Sequence, residues 1–107
     1  MLESYMFPEK LKKAIQLLGD DVNWKIVELL ADRGKVTWQE LLDGSGAVHA
    51  KTLNFQLKEL IGVGLVDRYE VGRSLEGNTG ILSFDLSPWG KDIVRGLQSA
   101  LNTKQNE

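Results

Sequence analysis

The sequence predicts a mainly α domain with a small β-hairpin (α+β), in the order helix-helix-helix-helix-strand-strand-helix. Three observations predict it. From Thr37 to Gly64 a short capped helix, a glycine-containing turn and a longer leucine-striped helix follow one another. Two extended runs, Leu65 to Gly72 and Ile81 to Leu86, flank a Gly/Asn turn, which is the pattern of a hairpin. Ser87-Pro88 then opens a last helix as cap followed by proline.

Size and composition bound the rest. A chain of 107 residues is read as one domain, 1–107, able to bury a modest core without staples. Its 42% hydrophobic content is ordinary for a soluble globular chain. There is no apolar run of membrane-spanning length and no basic-then-apolar leader, so the expectation is a cytoplasmic protein with no membrane partner. Cysteine is absent and histidine occurs once, which excludes disulfides, thiolate metal sites and thiol catalysis. With a formal charge of −2, any binding to nucleic acid has to come from local charge.

Met1 to Phe7 is an apolar-leaning arm containing Leu2, Tyr5, Met6 and Phe7, read either as disordered or as lying on a partner. Pro8 suits the first position of a helix over 8–18, with Leu11, Ala14, Ile15 and Leu18 on one face. Asp20 or Asp21 caps the next helix, which stops at Gly34. Its main stripe is Val22, Ile26, Leu29 and Leu30; a second, Trp24, Val27 and Ala31, widens the apolar arc. Either Trp24 packs under the first or last helix, or this stripe joins those helices in a dimer surface.

Lys35-Val36 reads as an extended link. Thr37, with Glu40 three residues on, has capping-box spacing, and the helix it opens breaks at Asp43-Gly44-Ser45-Gly46. Trp38 belongs to the core or covers the seam between helices. The longer helix that follows carries Leu53, Leu57 and Leu60 on one stripe and is expected to end at Gly62 and Gly64. This is the grammar of a helix-turn-helix, over 37–62. In the hairpin over 65–86, Leu82, Phe84 and Leu86 alternate with Ser83 and Asp85, giving one buried and one wet face. Its tip runs from Arg73 to Gly80. The last helix, 88–101, presents Ile93, Val94, Leu97 and Leu101, and a polar, frayed end is expected from Asn102 onward.

The longer helix leaves His49, Lys51, Asn54, Phe55 and Lys58 outward, with two lysines and no acid between His49 and Lys58. At about 20 Å long, its N-terminal part fits a DNA major groove. Lys51 and Lys58 suit phosphate or guanine, and Asn54 has the donor and acceptor to pair with adenine. Ala50, Thr52 or Phe55 can pack against a thymine methyl. Each residue alone has an ordinary explanation: solvated lysines, a neutral surface asparagine, an imperfect cap at His49, a buried or partner-seeking Phe55. Together on one face they point to DNA. The hairpin adds Arg73 for backbone contact, yet over 65–80 Asp67, Glu70 and Glu76 against Arg68 and Arg73 leave a net −1.

The chain resembles the winged helix-turn-helix regulators of the broad ArsR/MarR-like type, particularly their small prokaryotic and archaeal members. The likeness rests on Asn23 to Gly34 (NWKIVELLADRG), Thr52 to Val66 (TLNFQLKELIGVGLV) and Phe84 to Gly90 (FDLSPWG), and spans roughly residues 20 to 97. It implies a transcriptional regulator. Members that sense metals do so through cysteine pairs or histidine clusters that are missing here, so no metal and no cofactor is expected. His49 stands where the family pattern has a small hydroxyl cap, a departure at the usual phosphate contact.

The expectation is therefore a homodimeric, sequence-specific binder of double-stranded DNA, with His49, Lys51, Thr52, Asn54, Phe55, Lys58 and Arg73 at the DNA. Tyr5, Phe7, Leu11, Trp24, Ile93, Leu97 and Leu101 form the dimer interface. No nucleophile stands beside a base in any recognisable motif, and the glycines at 72, 77 and 80 form no phosphate cradle, so an enzyme is not expected. The alternative is a winged-helix protein-interaction module using Phe55 and the acidic wing without DNA. Space for a small effector near Trp24, Trp38 or Trp89 competes with a plain core role for these tryptophans.

Overall fold

The structure, a computed structural model, describes residues 8–71 and 81–105, with side chains described in 8–70 and 81–100. Five helices and three strands occur among these residues: α1 (Glu9–Leu18), α2 (Asp21–Arg33), β1 (Val36–Thr37), α3 (Trp38–Gly44), α4 (Ala50–Val63), β2 (Val66–Val71), β3 (Ile81–Leu86) and α5 (Pro88–Gln105). None of the described helices is long and apolar enough to cross a membrane.

Local chemistry explains most boundaries. Pro8 is the N-cap of α1 rather than its first helical residue; its carbonyl accepts from Leu11 and Lys12. The Asp20 side chain accepts from the Asn23 N–H at 3.1 Å and so caps α2. Gly34, at φ 80°, closes that helix with its own N–H on the Leu30 carbonyl. The two helices are tied at their junction: Asn23 Nδ2 donates to the Leu17 carbonyl at 2.9 Å. At α3 the Thr37 hydroxyl accepts from the Glu40 N–H, and the Glu40 carboxylate accepts from the Thr37 N–H at 2.8 Å, the reciprocal box that the spacing predicts. The Thr37 backbone N–H, with its hydroxyl second, holds the Glu40 carboxyl below its usual range.

Of the two glycines expected to end the long helix, only Gly64 does. It takes φ 91°, the left-handed conformation, whereas Gly62 is helical. The link at residues 35–36 is also more than a link. Val36 and Thr37 pair antiparallel with Phe84 and Ser83, giving a three-stranded sheet in the order β1-β3-β2. That makes β3 the central strand, with β2 registered as Val66↔Leu86 through Val71↔Ile81. Ser83 on this central strand is buried, against the expected alternation.

The core lies where α1, α2, α3 and α4 meet the sheet. Ile26, Leu30, Leu41, Leu53, Leu60 and Leu65 are its most enclosed large side chains. On α2 the buried stripe is Asn23, Ile26, Val27 and Leu30, at i, i+3, i+4 and i+7. Val27 thus belongs to the core and Leu29 is half-buried, while Trp24 and Ala31 stay exposed. On α1, Ile15 faces solvent rather than the core. The last helix continues to Gln105, past the expected fraying at Asn102.

Its start is pinned to the end of α4. The Ser87 N–H donates to the Leu65 carbonyl at 2.9 Å, and the Ser87 hydroxyl donates to the Gly64 carbonyl while accepting from the Gly90 N–H. The hairpin, the long helix and the last helix therefore share one corner. This corner sets how α4 is presented.

Candidate nucleic-acid interface

Helix α4 buries Leu53, Leu57, Leu60 and Val63 along one side. The opposite side carries Lys51, Asn54, Phe55 and Lys58, all exposed. Their offsets, i, i+3, i+4 and i+7, place them in one stripe. Its 14 residues make a rod about 21 Å long, of a width that a major groove admits.

The stripe is cationic and dry of acids. Neither Lys51 nor Lys58 has a carboxylate within salt-bridge distance among the described residues. The first acid beyond the stripe, Glu59, is held by Lys13 of α1 at 3.5 Å. Phe55 is 58% exposed and Val48, just before the helix, 83% exposed. Large apolar groups so placed gain nothing from the core.

His49 is the N-cap residue of α4 and is exposed, but its imidazole makes no cap hydrogen bond. Its carbonyl accepts from the N–H groups of Thr52 and Leu53. Thr52 is half-buried at the edge of the stripe. Asn54 is not free: its Oδ1 accepts from the indole Nε1–H of Trp38 at 2.7 Å. Trp38, half-buried at the start of α3, thus covers the seam between the two helices. Arg73, with the rest of the hairpin tip, lies outside the described residues.

A second surface forms where α1, α2 and α5 meet. Leu11, Ile15, Leu18, Trp24, Ile93 and Leu97 line an apolar groove of about 500 Å³. Trp24 and Leu97 are 44% and 46% exposed in the single chain. Four of the residues expected at a dimer interface, Leu11, Trp24, Ile93 and Leu97, are therefore gathered on one groove. Tyr5, Phe7 and the side chain of Leu101 lie outside the description. Trp89, by contrast, is half-buried under Lys10, whose Nζ stands 4.5 Å from the ring centre.

Three roles were not read from the sequence. Trp38 orients Asn54 only because of the angle between α3 and α4. Ile15 looked like a core residue on its helix face. Val48 gave one signal: a valine in a turn with no stripe to join. Among the described residues no group of three or more His, Asp or Glu side chains could hold a metal.

No protein-family model matches the sequence, and no curated protein matches it. Solved structures do match. A transcriptional regulator assigned to the MarR family, from Enterococcus faecalis, superposes with a TM-score of 0.71 at 19% identity, over 87% of this chain and 80% of its own. The homodimeric winged helix-turn-helix DNA-binding domain of a possible ArsR-family regulator from Mycobacterium bovis gives 0.69 at 16% identity, over 92% and 83%. The reduced form of the regulator YodB from B. subtilis gives 0.65 at 25% identity, over 91% and 86%. Identities this low show the fold alone: the chain has a winged helix-turn-helix fold similar to that of these regulators.

Proposed function

We propose that this chain is a transcriptional regulator that binds double-stranded DNA sequence-specifically as a homodimer. The observation that carries the reading is the outward stripe Lys51, Asn54, Phe55 and Lys58, an acid-free ridge on a helix of groove-filling dimensions. The lysines meet phosphate or guanine, Asn54 meets a base edge, and Phe55 with Val48 offers apolar contact to thymine methyls. His49 and Thr52 lie at the backbone end of the same helix, and Arg73 reaches phosphate from the wing. On this reading its activity is binding, not catalysis.

One copy carries few cations on this face, so its affinity is modest and its salt dependence shallow. Two copies joined through the groove around Trp24 and Leu97 double the contact, with half-sites about one helical turn apart. The protein works in the cytoplasm, where its DNA is. A mobility-shift titration with fragments from upstream of the organism's own genes tests this. Binding that weakens at least tenfold in Asn54→Ala/Lys58→Ala supports it; unchanged binding removes α4 from the DNA.

A second reading, a winged-helix module that holds a partner protein, is favoured by the exposure of Phe55 and Val48 on a chain of net charge −2. No shift on any upstream fragment at low salt, together with capture of a partner lost in Phe55→Ala, decides for it.

A further inference from the structure

We infer that Trp38 is a positioning residue for base recognition, fixing which edge of the Asn54 amide faces DNA. The inference rests on the DNA-binding reading above and deepens it. An indole N–H can only donate, so the group 2.7 Å from it has to be the amide oxygen. The Asn54 amide is thereby oriented, with its NH₂ turned away from Trp38. An unheld asparagine has no such bias, because its terminal torsion is broad and nearly two-fold.

The hold reaches into the body of the fold. Trp38 is the first residue of α3, directly after Thr37. Thr37 is fixed twice, by the reciprocal box with Glu40 and by its pairing with Ser83 on the central strand. The path from sheet to base contact is therefore Ser83, Thr37, Trp38, Asn54. Every link is a backbone pairing, a covalent neighbour or a hydrogen bond of ordinary length.

The chemistry that follows is selective. The outward NH₂ donates to a base acceptor, and the amide oxygen keeps a second lone pair after accepting from Trp38. Donor beside acceptor matches the N7 and N6–H₂ of adenine in the major groove. A cytosine presents only an amino donor there, so it can satisfy the amide oxygen but leaves the NH₂ without an acceptor, one bond fewer than adenine. Holding the amide beforehand also lowers the ordering cost at the moment of binding.

The test is selection from a duplex pool with about 20 randomised base pairs, two helical turns, with sequencing of the bound fraction. Wild type is expected to enrich adenine at one position of each half-site. Asn54→Ala should flatten that position. Trp38→Phe, which keeps the ring and loses the N–H, should cut the preference there about threefold to tenfold and leave other positions and non-specific affinity unchanged. A Trp38→Phe profile like wild type, with Asn54→Ala flattened, overturns the positioning role but leaves DNA binding standing. A wild type that enriches nothing overturns both. Should Trp38→Phe lose its fold by circular dichroism, the Trp38 indole N–H resonance of the wild-type chain serves in its place, because a bonded N–H shifts when its acceptor is removed. An indole N–H resonance that moves in Asn54→Ala supports the inference; one that stays unmoved overturns it.

Discussion

A Cβ at Gly90 would collide with the carbonyl oxygen of Leu65, so α5 begins in backbone contact with the residue that follows the α4 cap. The same carbonyl accepts from the Ser87 N–H, and the Ser87 hydroxyl reaches Gly64. Wing, long helix and last helix are thus joined through main-chain atoms, which cannot give way as a flexible side chain would.

Gly90→Ala is therefore expected to destabilise the fold by about 1–3 kcal/mol, the usual range for forcing an extra carbon into a packed site. Gly62→Ala makes the contrast. Gly62 is helical and a Cβ there meets nothing within 4 Å, so alanine should be neutral or stabilise by up to about 1 kcal/mol. Urea midpoints of the two variants against wild type check both signs.

The capping box makes stability depend on pH in a stated direction. Hydrogen bonding to the Thr37 N–H lowers the Glu40 carboxyl below its usual value. A group whose folded pKa is depressed contributes stability above its unfolded pKa and loses that contribution as pH falls through the folded one. Glu40→Ala should thus be less stable than wild type at about pH 7, and the gap should narrow as pH falls through and below the ordinary carboxylate range. Thr37→Ala, which removes the cap oxygen, should cost about 1 kcal/mol. Paired urea titrations across that range measure it.

The comparison of sequence with structure shows where local reading stops. Asp20, Thr37 and Glu40 act through bonds to residues three positions away, so their spacing announces them. The bounds of β3 are also legible locally, from Leu82, Phe84 and Leu86 at alternate positions before Ser87-Pro88. Strand β1 is too short to show alternation, and its partners Phe84 and Ser83 lie far along the chain. Gly62 and Gly64 look alike as stop signals, and only the backbone tells them apart: Gly64 is left-handed, and the N–H groups of Gly64 and Leu65 close on the carbonyls of Ile61 and Leu60. At the site, periodicity places Lys51, Asn54, Phe55 and Lys58 outward. The Trp38–Asn54 bond spans two helices whose crossing no local pattern records.

Removing the stripe's lysines should change the salt dependence of DNA binding in countable steps. Each phosphate-paired lysine contributes a slope of about 0.9 in log affinity against log salt. Lys51→Ala and Lys58→Ala are each expected to lower the slope by about that amount per protomer, with little change in base preference. Glu59→Gln should raise affinity at low salt by removing the first acid after the stripe. Its bond to Lys13 is partly exposed, so the stability change should stay within about 1 kcal/mol. Fluorescence anisotropy at several salt concentrations gives the slopes.

The groove between α1, α2 and α5 carries the last expectation. Ile15, Trp24 and Leu97 leave large apolar surface in water when the chain stands alone, and they surround one continuous hollow. A second copy placed there buries that surface and supplies the second reading helix. Leu97→Glu puts a carboxylate into the hollow without entering the core of the single chain, because Leu97 is already half exposed there. Helical circular dichroism should stay at the wild-type level while sedimentation shifts from dimer to monomer. Affinity for a two-half-site duplex should then fall at least tenfold, and affinity for a single half-site should not change. A variant that sediments as wild type would place the contact between copies elsewhere on the molecule.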